Sequence, residues 1–302
     1  MANTSSREAH ARRIGAQDRF ATGVLTVIVG LVMVLVVAII AYILVRGAGR
    51  ALTPGFLTNT SSDAVLPGIA YQLFDSFYLL LVTLVISVPI SLGAAIFLVE
   101  YAPDNWVTSA AKTAIETLSS LPSIVVGMFG SLFFVVTLGW GISIIAGACA
   151  LTMFNIPILV RTIQQALEDV PASQRDAALA MGLTRWETTV NVLLPAAMPA
   201  IVTGVVISAG RVFGEAAALI FTAGSAPARL NFADPFGPIG PFNIFRPACS
   251  LAVYIWRLTS EPTAGSTEIV WGTATILLAC VLLFNLLARL LGKALSRRLT
   301  AE

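Results

Sequence analysis

From Thr117 to Val160 the chain runs for 44 residues without a charged side chain. As one α-helix, at 1.5 Å per residue, this run would be about 66 Å long, roughly twice the ~30 Å hydrocarbon core of a bilayer. It must double back. The turn is placed at Leu138–Gly141, where the sequence L-G-W-G combines two turn residues with a tryptophan suited to a membrane interface. Two membrane spans, the third and fourth of the chain, follow from this run, with Pro122 and Pro157 inside them.

Other charge-free runs fill in the remainder. Phe20–Val45 is much longer than the apolar core of a secretory signal peptide and no small-residue cleavage site follows it, so it is read as a retained transmembrane helix. Ser76–Val99 is the second span, with Pro89 and Gly93 as kink or close-packing positions. Val190–Thr222 is the fifth and Ile269–Leu287 the sixth. The fold class is therefore an all-α polytopic membrane protein of six transmembrane helices. A composition of 57% hydrophobic and 11% charged residues agrees with this.

The expected organisation is a basic tail over 1–19, a first helix over 20–46, an outer loop over 47–70, and a core of five helices over 71–292. That core includes a polar segment over 161–190 and an outer loop over 223–267; a short tail, 293–302, ends the chain. The outer loop holds eight glycines and prolines between Gly224 and Pro247, and its second half, from Ser250 to Arg257, has a helical composition. Placing the tails, the 100–116 turn and the polar segment on one side gives that side twelve basic residues against five on the other. The positive-inside bias then puts both termini in the cytoplasm.

Several chemistries are disfavoured. Cys149, Cys249 and Cys280 form no spaced disulfide framework and read as buried small hydrophobes. His10 is the only histidine and sits in the tail, so no His/Cys metal site can be assembled. Neither lysine, Lys112 or Lys293, lies in a phosphate-binding P-loop, and no G-x-S-x-G nucleophile motif is present. The chain is expected to have no catalytic residue of its own, no metal and no bound cofactor.

Two motifs remain. The polar segment reads as two short helices meeting at Gly182. Ser173 is the expected N-cap of the first with Asp176 as its partner, and Thr184 caps the second with Glu187. Small residues (Ala177, Ala178, Ala180) and a charged edge (Arg175, Asp176) give the first helix a docking face. In the fifth span, Arg211 and Glu215 stand four residues apart. Either ion near the bilayer centre costs about 2.5–3.5 kcal/mol, so the pair needs a reason. On a continuous helix they share a face and partly neutralise each other. Gly204 and Ser208 extend that stripe, and Gly210 and Gly214 form a G-x-x-x-G beside it. Such a stripe suits a protein-lined pathway, with the guanidinium offering paired donors to an oxyanion; the other reading is an interhelical lock without substrate contact.

The pattern D-A-A-x-x-x-G from Asp176 to Gly182, followed by nine residues and V-x-L-P ending at Pro195, resembles the E-A-A-x-x-x-G…I-x-L-P signature of inner-membrane permeases of ABC importers, the MetI-like superfamily. Asp176 and Val192 are conservative departures. Ala209–Ala223 is similar to the R-x-x-G-E-T-A-P-L-L-F-T-A segment of PstA-type phosphate permeases, as are Leu118–Gly127 and Phe284–Leu291 to other parts of them. Ala216–Ala218 depart from the Thr-Ala-Pro of that segment, and residues 226–248 are longer and richer in proline than the family pattern.

The resemblance implies that Asp176, Ala177, Ala178, Gly182 and Pro195 belong to a coupling helix-turn-helix between spans four and five, seated in a cytoplasmic ATPase. Arg211 and Glu215 would line the substrate pathway. The implied partners are a PstC-type permease paralogue, two PstB-type ATPase subunits that bind ATP and Mg, and an extracytoplasmic PstS-type phosphate-binding protein. The motion implied is alternating access driven by closure of the ATPases. Two other readings stay open: a permease of the same fold for another oxyanion or solute, and a secondary transporter using Glu215 as a proton site.

Overall fold

The computed structural model describes residues 2–61, 67–226, 229–263 and 265–300, with side chains placed between residues 21 and 294 of these ranges. His10, the four tail arginines and the last basic residues, Arg297 and Arg298, lie outside the described side chains. The described chain is helical and without strands. Helix α1 (Ala2–Ala51) contains the expected first span and continues back through the segment read as a tail. That segment is rich in Ala and Arg, strong helix formers without a proline to stop them.

Helix α2 (Ala70–Tyr101) carries Pro89 in its interior and widens to π geometry over its last turn. Asn105 then starts α3 (Trp106–Ser119), its side chain accepting from the Thr108 N–H at 2.9 Å. Between α3 and α4 (Ser123–Thr137) the axis bends by 101°. The cause is Pro122, which has no N–H to donate and disfavours helical geometry at Leu121. Alone, α4 is about 22 Å long, short of the ~30 Å core. The described residues therefore contain five helices long and apolar enough to cross a membrane, and six if the bent pair is one span.

The turn after α4 falls where the sequence puts it, with Gly139 and Gly141 at φ +69° and +66°. Ser143 caps the next helix, α5 (Ile144–Glu168). Two short helices follow in order: α6 (Ala172–Ala180), then, after a break at Gly182, the start of α7 (Arg185–Phe213). Past α7 come α8 (Ala217–Thr222), an irregular stretch, α9 (Leu251–Ser260) and α10 (Ser266–Thr300).

Helix α5 is the centre of the bundle, packed on α2, α3, α4, α7 and α8, while α10 joins α7 to α1. The apolar core is in two parts. Leu79, Ile144, Leu151, Phe213, Leu219 and Leu251 pack at the end where α9 lies; Leu159, Ile163, Leu167, Leu193 and Ile201 pack at the end where α6 lies. Between them is a polar belt. Asn155 of α5 donates to Ser87 Oγ of α2 at 3.2 Å and accepts from Ser208 Oγ of α7, all three buried. Each buried amide group thereby finds a partner, and three helices are pinned at one level.

Among the described side chains, helix α1 touches this body near its end. Tyr42 meets Trp271 edge-to-face, Thr275 donates to the Ile43 carbonyl at 3.1 Å, and Gly47 lies against the Trp271 backbone. Residues 21–39 of α1 are exposed along their length, an apolar rod fit for lipid.

Candidate functional site

At one end of the bundle, α6 and the start of α7 form a corner. Gly182 turns it at φ +87°, a left-handed conformation that costs a side-chain-bearing residue roughly 1–2 kcal/mol. Thr184 and Glu187 make the reciprocal capping box: Thr184 Oγ1 accepts from the Glu187 N–H at 3.3 Å, and Glu187 accepts from the Thr184 N–H at 2.8 Å. The first helix differs from expectation. Pro171 occupies its N-cap with no side-chain cap bond, and Ser173 and Asp176 lie a position or more inside the helix. Proline fits there because it sets an extended backbone just before the helix and has no donor to lose.

Of the five small or charged residues singled out on α6, Ala178 is buried at 6% and Arg175 half-buried, while Asp176, Ala177 and Ala180 are exposed; Gly182 at the corner is exposed as well. Met181 and Trp186 flank them at 84% and 59% exposure, so the corner presents a large apolar surface beside its charges. The corner is tied back to α2 by an ion pair between Arg175 and Glu100, whose side chain is buried. Pro195 falls within α7, in the turn after its π segment at Thr189–Leu193, and does not interrupt the helix. Helix α6 is thus joined to α7 along the backbone and to α2 through Arg175.

Arg211 and Glu215 do not form the pair their spacing predicts. Helix α7 ends at Phe213, and the chain kinks through Gly214 and Ala216 before α8 begins. Glu215 sits in that kink and accepts from the Ala217 N–H at 3.1 Å, satisfying an orphan donor at the start of α8. Arg211 instead stacks on Phe154 of α5, its guanidinium carbon 4.4 Å from the ring centroid. Such a contact supplies about 0.5–2 kcal/mol and leaves the N–H edges of the guanidinium open to an acceptor.

The rest of the stripe is a packing seam. A Cβ on Gly204 would lie 2.3 Å from the Thr162 methyl, so this glycine brings α7 directly against α5. Ser208 is held by Asn155. Gly210 faces α10 at ordinary contact distance, and Gly214 terminates the helix without close contact to another one. Arg211 emerges from the seam, exposed, at about 24 Å along the helix from Pro195.

A second charged site was not singled out from the sequence. Asp75, in the first turns of α2, and Arg246, in the irregular stretch before α9, form an ion pair at 2.6 Å with both side chains 1% exposed. Arg246 also donates to the carbonyls of Gly240, Pro241 and Pro247, and Asp75 accepts from the Cys249 N–H at 3.1 Å. Next to it, Ser76 accepts from the Leu251 N–H at 2.8 Å, and Tyr78 donates to the Phe242 carbonyl at 2.9 Å. The glycine- and proline-rich stretch is therefore folded onto α2 as an ordered cap. In the sequence, Asp75 is merely the residue before a charge-free run and Arg246 one of several loop charges; only the 171-residue separation closed by the fold makes them a pair.

The family described as "Binding-protein-dependent transport system inner membrane component" matches residues 87–301. The chain is 46% identical over 288 residues to the probable ABC transporter permease protein YqgI of Bacillus subtilis, covering 94% of this chain and 98% of that one. It is 33% identical over 224 residues to the phosphate transport system permease protein PstA of Xylella fastidiosa, covering 74% of each. Among solved structures, the inward-facing MetNI methionine ABC transporter aligns with a TM-score of 0.52 at 20% identity, covering 84% of this chain and 96% of that one. A likeness at this identity concerns the fold.

Proposed function

Since the chain belongs to the family of binding-protein-dependent transport system inner membrane components, we propose that it is one of two permease subunits of an ATP-driven importer of inorganic phosphate. The observation that carries the cargo is Arg211, a guanidinium at depth in α7, stacked on Phe154 and with no carboxylate paired to it among the described residues. Its N–H edges match the oxygen pairs of a tetrahedral oxyanion. The relatives named as phosphate transport permeases support the same reading. Glu215, fixed one turn further on, limits how tightly an anion can be held and favours its release.

In this reading the second permease is PstC-type, two PstB-type subunits bind ATP and Mg, and a PstS-type protein delivers phosphate at the end where α9 and the ordered cap lie. Both termini and α6 face the cytoplasm. ATPase closure pulls α6, and the Arg175–Glu100 tie and the Gly182 corner carry that pull to α2 and α7. The Asn155 belt links the same two helices one turn below Arg211, so they move as a unit at the level of the guanidinium.

Phosphate uptake by vesicles carrying the complete assembly tests this. Uptake is expected to stop when ATP is removed and to persist when the proton gradient is collapsed; the reverse would point to a proton-coupled carrier. Arg211→Ala and Arg211→Lys are both expected to lower phosphate uptake at least about tenfold with the subunits still assembled. An assembly whose ATPase responds to another anion and ignores phosphate would keep the machine and change the cargo.

A further inference from the structure

Between the end of α2, helix α6 and the first turn of α7 there is a cavity of about 230 Å³ lined by Val99, Glu100, Arg175, Leu179, Arg185 and Thr188. Its polar groups are unevenly matched. Glu100 engages one terminal nitrogen of Arg175, but the Arg175 Nε is buried and has no partner. Thr188 is 1% exposed, and its Oγ1 also has no partner. Arg185 lines the same cavity and makes no side-chain hydrogen bond or ion pair among the described residues. Two guanidinium groups against one carboxylate leave the cavity with a net positive charge.

A buried hydroxyl and a buried N–H left unpaired each carry a desolvation cost that a bound acceptor would remove. The complementary group has several acceptor oxygens on one centre, carries negative charge and is small enough for the space. We propose that this cavity is a phosphoryl-group site, held by Arg185, the Arg175 Nε and the Thr188 hydroxyl, with Glu100 fixing Arg175 in place. It lies far from Arg211 and at the hinge of the coupling corner, so an anion there stiffens the joint between α6, α7 and α2. That the site faces the cytosol rests on the importer reading; its ligand chemistry does not. The group could be free phosphate, or the headgroup of an anionic phospholipid at the membrane surface.

The test uses the nucleotide-free assembly of this chain with its permease and ATPase partners, in an Arg211→Ala background that removes the pathway guanidinium. In phosphatidylcholine nanodiscs, radiolabelled inorganic phosphate is titrated by equilibrium dialysis. In nanodiscs with about 30% phosphatidylglycerol, retained lipid is read by native mass spectrometry. Arg185→Gln and Thr188→Val, one exposed and one nearly isosteric, are each expected to weaken binding in at least one arm, the former about tenfold. Loss in the first arm identifies free phosphate and loss in the second a lipid headgroup. No binding by the parent in either arm, or equal binding by both variants, overturns the proposal. So does release of the ATPase by the variants, which would make the cavity a socket for an acidic side chain of that subunit. Failure of phosphate transport by the assembly with Arg211 restored, with binding here intact, would count against the importer's cargo and leave this site standing.

Discussion

Replacing Asp75 with Ala removes the carboxylate that balances Arg246 and accepts from the Cys249 N–H. The guanidinium keeps three carbonyl acceptors, yet its charge is left buried at 1% exposure without a counter-ion. Removing one partner of a buried ion pair typically costs about 3–5 kcal/mol. The cost falls on the ordered cap, because that is where Arg246 can move to reach water. Cys249 reports this opening directly: it is 1% exposed, and burial first and the Asp75 carboxylate second push its thiol up to about 12. With Cys149 and Cys280 replaced by Ala, maleimide labelling of Cys249 follows the open fraction of the cap. A shift of 3–5 kcal/mol multiplies that fraction by roughly 10² to 10³ or more. Arg246→Met should label more slowly than Asp75→Ala, since it leaves a carboxylate that can protonate instead of a fixed cation. A labelling rate for Asp75→Ala within about threefold of the parent, with full labelling of both in denaturant, would refute the view that this pair holds the cap closed.

Other expectations follow from single positions. Gly182→Val places a β-branched residue at φ +87° and should cost about 1–2 kcal/mol at the corner, read as lost co-purification of the ATPase or as ATP hydrolysis that no longer drives uptake. Gly127→Ala would put a Cβ 2.6 Å from the Ala218 Cα, forcing α4 away from α8; a fall of several degrees in the melting temperature of the purified assembly is the expected sign. The Cys249 thiol is raised in the folded protein, so its neutral form stabilises the cap. That contribution is fully present below the ordinary value of 9.0 and is lost as pH rises toward about 12, visible as faster hydrogen exchange across residues 240–250 over that window.

The membrane class, the doubled-back run and the Gly182 corner were all legible from the chain. Each depends on local features. Charge-free length bounds a helix against bilayer thickness, Thr184 and Glu187 lie within one turn of one another, and Gly182 needs only its own backbone angle. What could not be read depended on breaks and on distance. Arg211 and Glu215 would share a face if the helix ran on, but the chain kinks at Gly214, so one ion caps a helix while the other stacks on Phe154. The third span looked continuous because an apolar run shows no bend, and Pro122 turns it by 101°. Asp75 and Arg246 are ordinary residues in their own surroundings. Helix α2, α5 and the cap must first pack before each becomes the other's countercharge. Local sequence determined which elements this protein has. The tertiary structure decided which charges are paired, because Coulomb and hydrogen-bond partners are chosen by proximity in space, not by spacing along the chain.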